Sequence, residues 1–343
     1  MKYIAKINSL IFAILAAVVF TSCDSFIYED EGDCSPYYKV RFRYERNLKF
    51  ADAFAAEVNA VTLYLVDETT GKVVWSKHEE GDAVSSEGYL MDVPVDPGRY
   101  HLIAWCGKGV GPHFDVAKTD IHHDLTCSLI HDSWARTDGA VDFKHTSNEL
   151  KGLYHGRLMS QEFPDEEGTH VYTVDLTKDT NEVNVVLQQL SGEPIDKDQF
   201  SFYITDANHV LDWTNEAAVE QGDSIVYHPH HTSGGSADIE VPEHGSTVFS
   251  ACVAEISTSR LIKGHKCYLS VVNNESGKLI FRVPLIDLAL MVKGSHGRDL
   301  EDQEYLDRQD KYDMIFFLDE GNRWMNAYIY INSWKVVLQD IEL

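Results

Sequence analysis

The sequence predicts an all-β protein, built as two tandem β-sandwich domains with short helical or loop insertions. Three observations favour this fold class: short segments that alternate apolar and polar side chains, turn residues that recur between them, and a weak internal repeat. Alternation with a period of two places one face of a strand in a core and the other in water. Short strands separated by frequent turn signals are typical of β-sandwiches.

The first predicted domain opens on strands of this kind. Residues 38–44 read YKVRFRY, so apolar and aromatic side chains alternate with three cations. Residues 61–65 repeat the alternation, and Thr70-Gly71 marks a turn after them. Residues 181–190 form a nearly continuous apolar strand. We therefore expect one sandwich over residues 36–192.

An internal repeat predicts the second domain. VTLYLVDETTGKVVW (residues 61–75) resembles FSFYITDANHVLDW (residues 200–213), since each has an apolar strand with a Tyr, an Asp three residues later, a turn and a final Trp. Each half also ends on Val-Val-Leu-Gln, at residues 185–188 and 336–339. We interpret these matches as a β-hairpin near the start of each domain and a core strand at its end.

The boundary between the domains is predicted at Gly192-Glu193-Pro194, directly after the first closing strand. The second sandwich would then cover residues 193–343. The two residues that end the repeats, Trp75 and Trp213, are predicted to lie in the cores rather than to act as ligand platforms.

Two segments depart from the strand pattern. ADAFAAEVNA (residues 51–60) is rich in Ala and predicts a short helix or a crossover. DLEDQEYLDRQDKYDM (residues 299–314) is densely charged, and its few apolar residues have loosely helical spacing. We expect a surface helix or a long loop there.

The amino terminus has the features of a bacterial lipoprotein signal peptide over residues 1–22. Lys2 and Lys6 precede the apolar run of residues 10–20, which is shorter than the about 20 residues that a spanning helix needs. The small residue Ser22 stands directly before Cys23. This pattern predicts cleavage between Ser22 and Cys23, with S-diacylglycerol and N-palmitoyl groups on the cysteine. The alternative is an ordinary signal peptide followed by a buried or disulfide-bonded Cys23.

The segment after the cysteine is acidic and is predicted to be a solvated tether over residues 23–35. Each acyl CH₂ group buried in a membrane contributes about 0.8 kcal/mol, so two or three chains hold a domain on a bilayer almost irreversibly. We therefore expect the lipid on Cys23 to attach the protein to the outer membrane.

The charge balance argues against nucleic acid as a partner. The chain has 29 Lys and Arg against 55 Asp and Glu, a formal net charge of −26. Phosphate binding needs a positive face, which this composition does not favour. Such a charge suits a soluble body held outside the cell.

The remaining cysteines do not form a recognisable framework. If Cys23 carries lipid, an odd number is left, so at least one is free or pairs between chains. Their pairing cannot be read from the sequence, and no Cys/His spacing points to zinc. These cysteines are Cys34, Cys106, Cys127, Cys252 and Cys267.

No motif predicts catalysis, a metal or a cofactor. The sequence lacks G-x-S-x-G, H-E-x-x-H and a phosphate-binding glycine loop. His228, His230 and His231 in YHPHHTSGG, and His122-His123-Asp124, have the residue types of metal ligands, but an incidental polar loop is the better interpretation. The acidic run at residues 164–168 lacks the spacing of a calcium loop and is predicted to be a solvated turn. We expect a protein that is not an enzyme.

Several longer stretches carry a resemblance to a known family. CDSFIYEDEGDC (residues 23–34), YHLIAWCG (residues 100–107), NELKGLYHG (residues 148–156) and the closing INSWKVVLQ (residues 331–339) are similar to stretches of the fimbrial anchor subunits of Bacteroidetes. Acidic residues after the lipid cysteine also resemble a surface-export tag of these bacteria.

The resemblance implies two transthyretin-like β-sandwich domains, attachment to the outer membrane through Cys23, and no enzymatic activity. It implies that the protein fastens the fimbrial shaft to the cell and limits its length. The implied partners are the shaft subunit (fimbrillin) and accessory fimbrial subunits.

Shaft subunits of the related superfamily join when an extended segment of one subunit completes the sheet of its neighbour. Here the sequence stops within a few residues of the strand at residues 336–339, which leaves little length for a donor arm. We therefore expect the protein to lie at one end of the filament.

Two alternatives stay open. A surface lipoprotein with the same sandwiches could bind glycans or host proteins, with Trp324 and Trp334 as sugar platforms, although core burial is the better prediction for both. A fimbrial tip adhesin would lose its lipidated end by proteolysis. The spacer from Asp24 to Tyr38 has no Arg or Lys for a trypsin-like protease, which favours retention of the lipid.

Overall fold

A computed structural model describes residues 35–134, 143–189, 194–219, 223–241, 245–296, 299–325 and 328–337. The described chain is mostly β-strand with short helices, so the predicted all-β class is confirmed. The predicted signal peptide, most of the predicted tether and the domain-boundary residues Gly192 and Glu193 lie outside the described residues.

The first half of the chain contains the seven strands of one sheet, which bends over its own core, and four strands that belong to other sheets. Its elements are β1 (Pro36–Arg43), α1 (Phe54–Glu57), β2 (Ala60–Asp67), β3 (Val73–Glu80), β4 (Met91–Asp92), β5 (Gly98–Cys106), β6 (Phe114–Val116), a 3-10 helix (His122–Asp124), β7 (Thr126–Leu129), β8 (Asp132–Trp134), β9 (Phe143–Thr146), β10 (Tyr154–Phe163) and β11 (Gly168–Lys178). The strand order is β3-β2-β5-β10-β11-β1-β4, and β10 and β11 share only three residue pairs. The first core lies between the two parts of this sheet, since it contains side chains from β1 as well as from β2 and β5.

Strand β1 has the alternation of buried and solvent-facing side chains that the sequence predicts. Tyr38, Val40, Phe42 and the following Tyr44 are all buried, as their alternation with cations predicts. The strand runs parallel to β11, with eight residue pairs from Pro36 to Arg43.

The second half forms two six-stranded sheets around a larger core. Its elements are β12 (Thr180–Gln189), a 3-10 helix (Lys197–Gln199), β13 (Phe200–Asp206), β14 (Val210–Asp212), β15 (Ile225–Tyr227), β16 (His231–Val241), β17 (Gly245–Ser259), β18 (Tyr268–Asn273), β19 (Lys278–Pro284), α2 (Leu285–Met291), α3 (Lys293–His296), α4 (Asp302–Arg308), β20 (Lys311–Leu318), β21 (Tyr328–Ile331) and β22 (Trp334–Val337). One sheet has the order β16-β17-β12-β20-β21-β22 and the other β19-β18-β13-β15-β9-β8. Buried side chains of both sheets form the second core.

Strands that fall within the predicted first domain join both second-half sheets, which the predicted division at residue 192 did not anticipate. β12 was predicted to close the first domain, but it pairs with β17 and β20 at the centre of a second-half sheet. β8 and β9 precede β12 in the chain and yet extend the other second-half sheet, where β9 runs parallel to β15. The prediction failed because strand partners are chosen by long-range packing, which a local apolar pattern does not encode.

Only the first copy of the internal repeat folds into the predicted hairpin. In the first copy, β2 and β3 form the predicted antiparallel hairpin. In the second copy, β13 pairs with β15 and β18, whereas β14 pairs with β7 in a separate small sheet, so the predicted hairpin is wrong. The two Val-Val-Leu-Gln matches also differ, because β12 is a central strand and β22 lies at a sheet edge. Trp75 and Trp213 are half-buried and pack against the two cores, as predicted.

Both segments with a helical pattern contain helices. α1 lies within residues 51–60, as predicted. In residues 299–314 the helix is α4, but Tyr305, Leu306 and Asp307 are buried, and the segment continues into β20. The surface location predicted for this segment is therefore wrong for one side of the helix.

The two cores meet through β5. Leu102, Ala104 and Cys106 point into the first core, whereas the alternate residues Ile103 and Trp105 belong to the second. All five side chains are fully buried, so β5 is covered on both faces. The sheet β14-β7-β6 packs here and joins a strand of the second half to two strands of the first.

Candidate partner-binding edge

Three of the strands at the sheet ends, β3, β4 and β19, have features that discourage pairing with another chain. β4 has two residues, and β3 is charged over residues 77–80. The start of β3 is also covered, because the Val73 N–H donates a hydrogen bond to the Asp120 carbonyl at 2.9 Å. On β19 the exposed Leu279 has the cationic Lys278 and Arg282 nearby. Shortness and charge are common protections of sheet edges.

β22 is also short and carries Lys335, but it has two exposed large apolar side chains, whereas β3 and β19 have one each. Two of its four residues are large apolar side chains that are about half exposed, Trp334 at 48% and Val337 at 56%. Within the described part of the chain, β21 is its one strand neighbour, and the open side presents backbone groups that another strand can pair with. We call β21 and β22 together the C-terminal edge.

The turn between these two strands holds the C-terminal edge in place. Asn332 and Ser333 have φ angles of 47° and 70°, the left-handed conformation that two-residue hairpin loops use to match strand twist. The Asn332 side chain accepts a hydrogen bond from the Asp313 N–H at 2.8 Å and donates one to the Lys311 carbonyl at 3.3 Å. The turn is thereby fastened to β20.

A groove of about 340 Å³ lies beside the turn, under the start of β22. Its apolar lining is made by Leu48, Val292, Tyr305 and Trp334, and its polar lining includes Gln309. Trp334 was predicted to be buried in the core, and this prediction is wrong because no strand lies beyond β22 in the described residues to cover it.

Trp324 follows the core prediction more closely. Its ring is half-buried and lies 5.2 Å from the ring of Phe281 and 6.1 Å from that of Phe316. The indole therefore packs against the second core and offers little free face to a sugar.

The other face of the C-terminal edge is aromatic. The rings of Phe317 and Tyr328 are 5.3 Å apart, and Tyr328 lies 6.1 Å from Tyr330. Lys335 is placed with its ammonium 4.1 Å from the Tyr328 ring, a cation–π contact. An added strand would thus find apolar contacts on both faces, and main-chain hydrogen bonds along the edge.

The C-terminal edge was missed as a site in the sequence, although a signal existed. YIYI and WKVV are two short β-prone runs separated by the two residues Asn332-Ser333, a hairpin pattern. That the second run has no further neighbour among the described strands depends on the strand order of the whole sheet.

The residues predicted to carry lipid and cleavage, Ser22 and Cys23, lie outside the described residues, as does Cys34. The other cysteines are free thiols, and burial raises the pKa of each above its usual value. They are Cys106, Cys127, Cys252 and Cys267, all buried.

The predicted histidine sites show structural roles. His122 is buried, and its Nδ1 lies 2.9 Å from the Gly71 carbonyl. His230 and His231 line a polar cleft of about 590 Å³ that also contains Glu149 and Glu255. In the described part of the chain, no group of three or more His, Cys, Asp or Glu side chains is arranged to hold a metal ion.

Two further features concern the surface. The acidic turn at residues 164–168 connects β10 and β11, and its three carboxylate residues are exposed, as predicted. Among the helices of the described chain, none has the length and apolar character needed to cross a membrane.

The fold with two β-sandwich cores is shared with solved proteins of Bacteroides. A solved structure of a candidate adhesin from Bacteroides thetaiotaomicron superimposes with a TM-score of 0.75; it is 31% identical and the match covers 90% of this chain and 99% of that one. The chain belongs to the family of fimbrillin-A associated anchor proteins Mfa1 and Mfa2, whose family model matches residues 30–340.

Individual relatives agree with this assignment. The minor fimbrium anchoring subunit Mfa2 of Porphyromonas gingivalis is 23% identical over 335 residues, 94% of this chain and 92% of the relative. The solved structure of Mfa2 from Porphyromonas gingivalis shares the fold with a TM-score of 0.64 at 19% identity, covering 89% of this chain and 99% of its own. A candidate polysaccharide-binding protein from Bacteroides thetaiotaomicron is 28% identical, with a TM-score of 0.72 and coverage of 89% and 98%.

Proposed function

We propose that this protein is an outer-membrane lipoprotein that anchors fimbriae to the cell surface and limits their length by binding the basal shaft subunit. The observation that carries the proposal is the match of an anchor family across residues 30–340, directly after a Ser22-Cys23 lipoprotein pattern. The function needs binding and mooring only, so we propose no catalytic step and no cofactor.

The C-terminal edge is our candidate for the surface that holds the shaft. Its occupant would be an extended segment of the shaft subunit, paired with β22 through main-chain hydrogen bonds. Trp334 and Val337 would then lose their exposure, which stabilises the complex by apolar burial. Family membership among fimbrial anchors supports a fimbrial subunit as the partner.

The first test is the substitution Cys23→Ala in the native host. We expect filaments to move from the cells into the medium, because the acyl chains are the proposed mooring. The measurement is the ratio of filament protein in cell-free medium to that on cells. Cys34→Ala is the matched control, since it removes a nearby cysteine that lacks the preceding signal-peptide pattern.

Filaments that stay on the Cys23→Ala cells at normal length would contradict the anchor function. An immunoblot must show that the variant is exported, because loss of the protein would itself release filaments. Mass spectrometry of the mature amino terminus separates the anchor from a tip adhesin, since only the anchor keeps an acylated Cys23.

Polysaccharide binding is a second candidate function. It is favoured by the 28% identical relative described as a candidate polysaccharide-binding protein and by the exposed Trp334, which lines a groove that also has Gln309 and Asp313 in its wall. Sugar rings stack on exposed indoles, so Trp334→Ala should abolish binding on a glycan array, whereas Trp75→Ala should not. Retained binding in Trp334→Ala would exclude this groove as the glycan site.

A further inference from the structure

One lysine at the junction of the two sandwiches is held by two carboxylates. Lys178 ends β11, and its Nζ lies 2.5 Å from Asp310 Oδ2 and 3.4 Å from Glu57 Oε2. Glu57 is the last residue of α1, and Asp310 stands directly before β20, so three distant segments meet at one amine. Among the ion pairs of the described residues, no other lysine is paired with two carboxylates.

Buried aromatic rings shield the amine of this cluster from water. The Lys178 side chain is 19% exposed, and its Nζ lies 6.0 Å from the centre of the Tyr154 ring. The Tyr154 hydroxyl donates a hydrogen bond to Glu57 Oε2 at 2.7 Å, and its ring packs edge-on against Tyr44. Asp310 is more open and lines the polar cleft described above. The amine is therefore largely enclosed, whereas a water molecule released at Asp310 can leave through the cleft.

The position of Lys178 suits bond formation as well as ion pairing. Because a carboxyl oxygen is bonded directly to its carbon, the 2.5 Å contact also brings Lys178 Nζ close to Asp310 Cγ. Reacting groups that are held together in a near-attack position have effective molarities of about 10⁵ M or more. Condensation of this amine with this carboxyl group is thereby favoured in the folded chain, although the same groups stay separate in dilute solution.

Glu57 supplies the proton transfer that the condensation needs. Burial lowers the pKa of Lys178, but the carboxylates of Asp310 and Glu57 raise it by more, so the resting side chain is an ammonium group. An ammonium group has no lone pair and cannot attack carbon. Because the lysine contacts two carboxylates, Glu57 can accept a proton as a general base while Asp310 stays beside the nitrogen.

We infer that Lys178 and Asp310 condense to form an intramolecular isopeptide bond. Glu57 takes one proton from the Lys178 ammonium group, and the neutral amine then forms a bond to Asp310 Cγ. One carbon–oxygen bond of Asp310 breaks, and this oxygen leaves as water with the proton returned by Glu57 and a second proton from the nitrogen. One ammonium and one carboxylate are thus replaced by an amide and a water molecule, Glu57 is a carboxylate again, and no other reagent is consumed.

The isopeptide bond would join the end of β11, in the first sheet, to the residue before β20, in a second-half sheet. It closes a covalent loop over residues 178–310. The inference is independent of the anchoring function, because it uses neither Cys23 nor the C-terminal edge.

Mass spectrometry of a tryptic digest of the full chain, purified from the native host, tests the inference. Trypsin cleaves after lysine and arginine but not after a lysine whose amine is acylated. We expect a branched peptide in which residues 158–197 are joined to residues 309–311, with a mass lower by one water than the sum of the two peptides. Separate recovery of peptides 158–178 and 309–311, without any branched peptide, would overturn the inference.

Two substitutions test the proposed roles. Lys178→Arg keeps the positive charge but removes the amine, so the branched peptide should disappear. Glu57→Gln keeps an acceptor for the Tyr154 hydroxyl but cannot take the proton, so the cross-linked fraction should fall by about tenfold or more. A branched peptide that persists in Lys178→Arg, or an undiminished cross-linked fraction in Glu57→Gln, would contradict the proposed chemistry.

Lys263→Arg is the matched control. Lys263 Nζ also lies 2.5 Å from a carboxylate oxygen, Asp302 Oδ2, but no second carboxylate is paired with this lysine to accept its proton. The variant should retain the branched peptide in full, and no branched peptide should join Lys263 to Asp302 in the original chain. Circular dichroism verifies that each variant folds.

Discussion

At the scale of single residues, Arg260 is a buried cation that needs several hydrogen-bond partners. It is 6% exposed and donates two hydrogen bonds to Asp307, from Nε at 2.8 Å and from Nη2 at 3.0 Å. Its Nη1 donates to the Asn215 carbonyl, and Asp179 lies 3.9 Å from Nε. A buried charge is tolerated only when its partners are complete, so this arginine ties α4 to the start of β12 and to the loop after β14.

Arg260→Met should lower the free energy of unfolding by about 3–5 kcal/mol, because it leaves Asp307 buried without its cation. The measurement is urea unfolding followed by circular dichroism. Arg323→Met is the control, since the Arg323–Asp319 pair is exposed and such pairs contribute about 1 kcal/mol or less. Similar losses of unfolding free energy in the two variants would show that the buried Arg260–Asp307 pair stabilises the fold no more than the Arg323–Asp319 pair does.

Asp179 gives a pH prediction. Burial raises its pKa from 3.8 to about 7, against the opposing effect of Arg260. Between about pH 4 and 7 the unfolded chain therefore loses this proton while the folded chain keeps it. The contribution of Asp179 to the free energy of unfolding should fall as pH rises through this window and level off above it.

Asp179→Asn removes this titration and keeps the acceptor for Asn215, whose Nδ2 donates to Asp179 Oδ1 at 2.8 Å. The stability of the variant relative to the original chain should therefore increase from pH 4 to pH 7. Unfolding curves at several pH values measure the difference. A pH-independent difference would mean that the pKa of Asp179 is not raised in the folded chain.

At the scale of elements, β12 and β22 show what the sequence could and could not reveal. Both contain Val-Val, and both were predicted to be core strands. The alternation of buried side chains in β12, such as Val183 and Val185, follows from its sequence, but its place between β17 and β20 does not. β22 has an equally apolar sequence and remains at an edge. Which side chains of a strand are buried follows from its own sequence, whereas the strands that it pairs with depend on the packing of the whole sheet.

A charge placed on β22 tests its role. Val337→Asp should weaken binding of the purified shaft subunit by at least about tenfold, because an unpaired carboxylate buried at a strand interface costs several kcal/mol. Surface plasmon resonance measures the affinity. Val337 is 56% exposed, so the free protein should keep its stability.

Leu279→Asp is the matched control for this change, since Leu279 is 47% exposed on β19 at the edge of the other second-half sheet. It should leave the affinity unchanged. If Val337→Asp binds as tightly as the original chain, the shaft is held elsewhere and the C-terminal edge loses its proposed role.

At the scale of the whole molecule, the second sandwich depends on β8, β9 and β12, which fall within the predicted first domain. The all-β sandwich class predicted from the sequence is confirmed, whereas the lipoprotein signal that precedes it stays a prediction. The sequence did not predict that β8, β9 and β12 would join the second-half sheets, because nothing in the sequence of a strand marks its partner. The candidate edge was hidden for the same reason, whereas the prediction for Cys23 rests on a pattern that is contiguous in sequence.

Separating the chain at the predicted boundary should therefore fail. A fragment of residues 193–343 lacks the central strand β12 of one sheet and the end strands β8 and β9 of the other, so we expect no cooperative unfolding transition. Differential scanning calorimetry compares it with the full chain, which should unfold as one cooperative unit. A sharp transition in the fragment would show that the second sandwich is independent.

The parallel pairing of β1 with β11 has a mechanical consequence. In a chain moored at Cys23, the drag of flowing liquid on a filament enters the folded body at Pro36, the first residue of β1. All eight residue pairs from Pro36 to Arg43 join β1 to β11 side by side. A pull along the strand loads these hydrogen bonds together in shear, whereas a pull across the strand would break them one after another. The strand next to the mooring is therefore the one best placed to carry tension.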